Sequence, residues 1–249
     1  MGLRAMRTKL RVSWFLAACL CWPLSSRAQS PKSSYLVSVR ELSIPRKALH
    51  DFQKGAEILA KEDATGSLPY FQRAVAEFPG FYEAYYKMGV ANLKLWRVAD
   101  AEQAYRRSIE LSGGQYAQSL LGLGVLLNYQ EKFTEAEGVT RKGLDLDPTS
   151  WAGHYSLGWA LFGLNRLEEA EKSVREALRW KTDCAEAQLL LADIHGREKD
   201  YSALLKDLDE YLKLDRDSPT SARARALRET AQRALVESQA STALAEPQP

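Results

Sequence analysis

The chain has 249 residues, 45% of them hydrophobic and 27% charged, with a formal net charge of +2. It is too apolar for a chain disordered throughout and too charged for a membrane bundle, so a folded core is expected. Its length allows one domain or two and does not choose between them.

At the N-terminus, Arg4, Arg7, Lys9 and Arg11 precede an uncharged apolar run from Val12 to Leu24, followed by Ser25-Ser26-Arg27-Ala28. A basic stretch, a short apolar run and a small-x-small end read as a secretory signal over 1–28. Cleavage after Ala28 would export the chain to the periplasm or exterior of a bacterium. The run is shorter than the roughly 20 residues of a membrane span. Leu16-Ala17-Ala18-Cys19 also resembles the lipobox of bacterial lipoproteins, which would leave Cys19 lipidated and the chain membrane-anchored. Leu20 to Leu24 stay apolar, however, where a lipoprotein turns polar. A free chain starting at Gln29 is the first reading and the Cys19 anchor the second. Cleavage removes five of the 34 basic residues and none of the 32 acidic ones, leaving a mildly acidic chain with no general attraction for nucleic acid or anionic lipid. Cys184 is then the one cysteine left, expected as a small packed residue at a repeat junction.

Residues 29–47 contain Tyr35 to Pro45 (YLVSVRELSIP), whose weak alternation suggests an extended leader packing on the first helices after it. From Ala48 a pattern recurs. Small residues stand at Gly55, Gly89, Gly124, Gly158 and Ala192, spaced by 34, 35, 34 and 34. Twelve positions on come Ser67, Ala101, Ala136, Ala170 and Leu204, then Phe71, Tyr105, Thr140, Val174 and Leu208, then Ala74, Ser108, Gly143, Ala177 and Tyr211. A fixed period of this length marks a stacked array. The units run 48–81, 82–116, 117–150, 151–184 and 185–218, and the one extra residue falls at Gly113-Gly114, a turn where insertion is cheap. Each unit reads as two helices, with small residues where they cross and Met88, Leu123, Leu157 and Leu191 filling the space between. Asp217-Ser218-Pro219 then opens a helix over 219–238. Its stripe of Ala224, Leu227, Ala231, Ala234 and Leu235 can cover the last unit. The small, polar residues 239–249 are expected to be a disordered tail.

The pattern over Ala48 to Ser218 resembles the tetratricopeptide repeat family, as in Trp151-Ala-Gly-His-Tyr-Ser-Leu157-Gly158 with Ala170, Val174 and Ala177. The resemblance implies an all-α fold: a right-handed superhelical solenoid of five helix-turn-helix repeats plus a C-terminal capping helix. It also implies a concave groove, lined by the first helices, that holds a protein or peptide segment. Phe52 and Ala56, Tyr86 and Val90, Leu121 and Val125, Tyr155 and Trp159, and Leu189 and Asp193 are expected to face it. Lys94 and Asn128 lie about one turn further on as the nearest polar groups. The partner-binding set is thus Tyr86, Val90, Lys94, Leu121, Val125, Asn128, Tyr155 and Trp159. Co-chaperone members carry a lysine–asparagine clamp for a terminal carboxylate on this face, and the mostly hydrocarbon side chains here argue against it. Three readings stay open: the aromatics anchor a partner, they pack between adjacent first helices, or the leader with Tyr35, Val37 and Val39 fills the groove.

Catalytic chemistry is not expected. His50, His154 and His195 belong to different repeats without ligand spacing. Gly122-Leu-Gly124 lacks the third glycine of a dinucleotide loop and sits inside a first helix, so it reads as packing. Glu168-Glu169-Ala-Glu171-Lys172 reads as a solvated face with local ion pairs. No metal or cofactor is expected. The function implied is a non-catalytic scaffold or adaptor in the cell envelope. An outer-membrane or pilus biogenesis lipoprotein is the alternative, and an enzyme a distant third.

Overall fold

The computed structural model describes residues 43–245, with side chains to Ser238. The expected signal, most of the leader and residues 246–249 lie outside this range. The helices are α1 (Arg46–Ala60), α2 (Ala64–Glu77), α3 (Tyr82–Lys94), α4 (Val98–Leu111), α5 (Ala117–Tyr129), α6 (Phe133–Leu146), α7 (Trp151–Gly163), α8 (Leu167–Trp180), α9 (Ala185–Glu198), α10 (Tyr201–Leu214) and α11 (Pro219–Ala245). Among the described residues there is no strand. α1 to α10 form the five expected pairs and α11 succeeds them, so the fold is all-α helix-turn-helix repeat.

Two boundaries differ from expectation. The expected leader extends to 47, but α1 already starts at Arg46, directly after Pro45. Ile44 packs beside Ala48, Ala74, Phe81 and Ala84. α11 does not stop at 238 but runs to Ala245. Neither glycine nor proline occurs there before Pro247, and the stretch is rich in alanine, the best helix former.

The chain divides into two compact units. One reaches to Gln130 and adds Gly138–Pro148; the other takes Glu131–Glu137 and continues from Thr149. In the first, Phe71 (0% exposed) fills the space beside Gly55, where an added Cβ would come within 2.8 Å of its ring. Tyr105 does the same at two helices at once, 2.6 Å from a Cβ on Gly89 of α3 and 2.8 Å from one on Gly122 of α5. Gly122 is thus a packing glycine, as expected. Ser108 hydrogen bonds to the Tyr82 carbonyl at 2.7 Å and shares a 2.6 Å bond with Ser119, so the hydroxyls in this junction are satisfied. In the second unit, a Cβ on Gly158 would lie 2.5 Å from Val174 Cγ2 and 3.2 Å from the Ala170 carbonyl oxygen. Gly163 meets the Phe133 ring in the same way, at 2.5 Å. At Gly55, Gly89 and Gly158 the small residue therefore receives the bulky side chain 16 positions later, which sets how closely each pair approaches.

The turns repeat as faithfully as the helices. Glu62, Trp96, Glu131, Asn165 and Lys199 all have left-handed φ, between 57° and 65°. Each stands where a first helix hands over to a second, and none is glycine. Gly113 and Gly114, the turn that carries the one extra residue, are left-handed too, with open space around both. Second helices start on side-chain caps at Asp63 and Asp200, whose carboxylates accept from the amides of Gly66 and Ala203. Ser218 Oγ accepts from the Ser221 amide and caps α11 as its sequence predicts.

Candidate interaction face

The expected groove residues lie on the first helices α1, α3, α5, α7 and α9. Most are buried. Tyr86 is 6% exposed, Leu121 3%, Val125 5% and Asn128 1%, while Val90 is half-buried. In the second unit, Tyr155 is 8% exposed, Trp159 5% and Leu189 8%, and the rings of Tyr155 and Trp159 lie 6.3 Å apart. α7 is buried from Tyr155 through Phe162 without a break, the pattern of a helix that is apolar all round.

Between anchoring a partner and packing within the chain, the geometry favours packing; the leader residues Tyr35, Val37 and Val39 lie outside the described residues. Tyr86 sits edge-on to Tyr116 at 5.6 Å and tilted against Tyr105 at 6.1 Å, and Tyr82 contacts Tyr116 at 5.0 Å. Burial pushes the Tyr86 phenol up to about 12. Leu121 turns toward its own second helix, its Cδ2 lying 2.5 Å from where Gly143 would carry a Cβ. Phe52 lies between Phe71 at 6.0 Å and Phe81 at 4.8 Å.

The polar groups also differ from expectation. Lys94 is bound to Glu62 in the preceding turn, its side chain 10% exposed, and Asn128 is buried inside α5. Neither offers an open donor. The accessible cation is Lys87, one residue after Tyr86 and absent from the expected set. Its Nζ stands 5.4 Å over the Tyr86 ring, and burial lowers its affinity for a proton. No carboxylate pairs with it among the described residues. Lys87, Val90 and Lys94 are spaced by three and four, so they share one face of α3. That spacing is legible in the sequence; Lys87 escapes only because it is neither three before the glycine nor just after it.

Cys184 is fully buried, with its thiol pushed up to about 12 by burial and the neighbouring Glu186. Around α8, Arg166–Glu169, Arg175–Glu171 and Arg179–Glu176 make local ion pairs. Such exposed pairs contribute only about 0–1 kcal/mol each. Among the described residues, no group of His, Cys, Asp and Glu is arranged to hold a metal ion. No helix among them is long and apolar enough to cross a membrane.

Comparison with known proteins agrees with this geometry. A family model described as Tetratricopeptide repeat matches residues 127–194, and a second with the same description matches 58–119. No curated protein matches in sequence. Among solved structures, Pseudomonas aeruginosa pilF superposes with a TM-score of 0.63 at 16% identity, covering 75% of this chain and 89% of that one. TTC0263, a thermophilic TPR protein of Thermus thermophilus, gives 0.59 at 19% identity, covering 74% and 98%. YrrB, described as a TPR protein with an unusual peptide-binding site, gives 0.57 at 14% identity, covering 76% and 97%.

Proposed function

Because this chain belongs to the tetratricopeptide repeat family, we propose that it is a non-catalytic scaffold that captures a segment of another protein on the first-helix face of its first unit. The observation that carries this is Lys87. It is a half-buried ammonium without a counter-charge among the described residues, beside half-buried Val90 and above the ring of Tyr86. A partner segment with an apolar side chain over Val90 and a carboxylate at Lys87 would supply a charged hydrogen-bond partner in place of the water that burial has removed. Tyr86 supports that face from beneath, its ring under the Lys87 ammonium, rather than meeting the partner directly. The peptide-binding site ascribed to YrrB supports a peptide as ligand class by analogy of fold alone.

The test is a photo-reactive residue at Val90, with a second at Arg107 on α4 as control. Crosslinks from Val90 to one defined acidic-apolar segment, with none from Arg107, support the reading; equal yields from both positions overturn it.

The cell envelope is the proposed place of action, on the strength of the signal-like residues 1–28. A lipoprotein anchored through Cys19 is the second reading, favoured by Leu16-Ala17-Ala18-Cys19. Mass spectrometry of the mature N-terminus separates them. A chain beginning at Gln29 supports the free form, and a diacylglyceryl-cysteine start supports the anchored one.

A further inference from the structure

Three side chains of the second unit meet across α8, α9 and α10. His195 is 5% exposed, with Nδ1 2.5 Å from Asp207 Oδ2 and Nε2 3.4 Å from Glu171 Oε1. Asp207 is buried too, and Arg175 donates to the same Glu171 oxygen, Oε1, at 2.6 Å. The sequence hid this arrangement, because His195 looked like an isolated histidine and Glu171 like part of a solvated run. The two carboxylates sit on opposite ring nitrogens, so they cannot share one metal ion. Burial leaves no room for a substrate, and what the cluster can exchange with its surroundings is a proton.

The donor count sets its behaviour. An ionised carboxylate only accepts, and a neutral imidazole has one N–H. Both contacts are hydrogen bonds together only when the cluster holds one proton beyond a neutral ring and two carboxylates. That proton makes the ring an imidazolium between two anions, or is shared with Asp207. Asp207 suits sharing, because burial pushes its carboxyl up against the opposing pull of His195, Arg175 and Lys206. For Glu171, burial opposes ionisation, but the hydrogen bond and charge of Arg175, and after them those of His195, hold it below its usual range. The charged groups around the ring are thus Glu171 and Arg175 from α8 and Asp207 from α10, with exposed Lys206 acting on Asp207 from further out. On the α7 side, Arg197 of α9 is occupied by the carbonyl and ring of Phe162.

We propose that Glu171, His195 and Asp207 form a proton-dependent latch that ties α8 to α9 and α10 and opens on the α8 side when the ring loses one of its two protons. The remaining proton stays in the short contact with Asp207. The lone pair of Nε2 then faces Glu171, and attraction becomes repulsion. As pH rises and the Nε2 proton leaves, the junction therefore weakens. The sign comes from linkage: the closed latch holds a proton that its opening releases, so its contribution is present at low pH and lost as pH rises. At the acid end the contribution lasts until Glu171 itself is protonated, below the usual carboxylate range.

The test uses the full chain. Nitrogen-15 spectra of the imidazole from pH 5.5 to 8.5 should show His195 with both nitrogens protonated at the acid end and only Nδ1 protonated at the basic end. A ring in one form throughout overturns the latch. Amide exchange corrected for its intrinsic pH dependence should show protection in α8 and α9 falling as the second ring proton is lost. α1 to α4 should stay level. His195→Gln should abolish the fall, and a fall that persists in this variant overturns the proposal. If the variant does not fold, the imidazole spectra of the unsubstituted chain decide.

Discussion

α3 and α7 hold equivalent places in the repeat pattern, and their residues line up: Tyr86 with Tyr155, Gly89 with Gly158, Val90 with Trp159. Yet α3 keeps a half-buried, charged strip, whereas α7 is buried continuously from Tyr155 to Phe162. The difference teaches that a groove position in a repeat pattern names a direction, not an exposure. Large aromatics at such positions close over one another and become core, and the neighbouring polar position is left to meet solvent or a partner.

The largest expected effect comes from Trp159 against Val90. Trp159→Ala should cost about 3–5 kcal/mol in denaturant unfolding, because it empties a fully packed site. Val90→Ala should cost roughly 1 kcal/mol, because part of its surface is already in water. Equal costs would erase the distinction between the two helices.

Next comes alkaline pH. The unfolded phenol titrates near its ordinary value of 10.0 and folded Tyr86 at about 12, so the folded state keeps its proton longer and stability should fall as pH rises between the two. The loss approaches ~2–3 kcal/mol by pH 12. Tyr86→Phe should remove that component from the pH dependence of unfolding, and an unchanged slope would show the ring to be more open than its packing implies.

The glycines give a smaller and more pointed comparison. Gly89→Ala meets a ring that can shift, Tyr105, while Gly158→Ala also meets the backbone of Ala170 and Val174 at 3.2 and 3.3 Å. Both should destabilise, within about 1–3 kcal/mol, with Gly158→Ala the worse as read from thermal midpoints.

The smallest effect is in the turns. Glu131→Gly should stabilise by roughly 0.5–1 kcal/mol by relieving left-handed backbone, and Asn165→Gly by less, because asparagine tolerates that conformation.

The repeat register was legible because crossing helices demand small residues at a fixed period, and Gly55, Gly89 and Gly158 each meet the bulky partner that the pattern placed 16 residues later. The start of α11 was legible from Ser218-Pro219, but its end was not, since a run without breakers carries no stop signal. Burial of Tyr155 and Trp159 was ambiguous in the sequence, because an apolar face looks the same whether it awaits a partner or packs within the chain. The meeting of His195 with Asp207 and Glu171 was illegible for a different reason: it depends on side chains of three helices converging, which no single-helix periodicity reports.

The most direct test of the interaction face is capture through Val90 after charge reversal at Lys87. Lys87→Glu should leave the thermal midpoint nearly unchanged and reduce crosslinking to the acidic-apolar segment tenfold or more. Undiminished capture by this variant would contradict the assignment of that face.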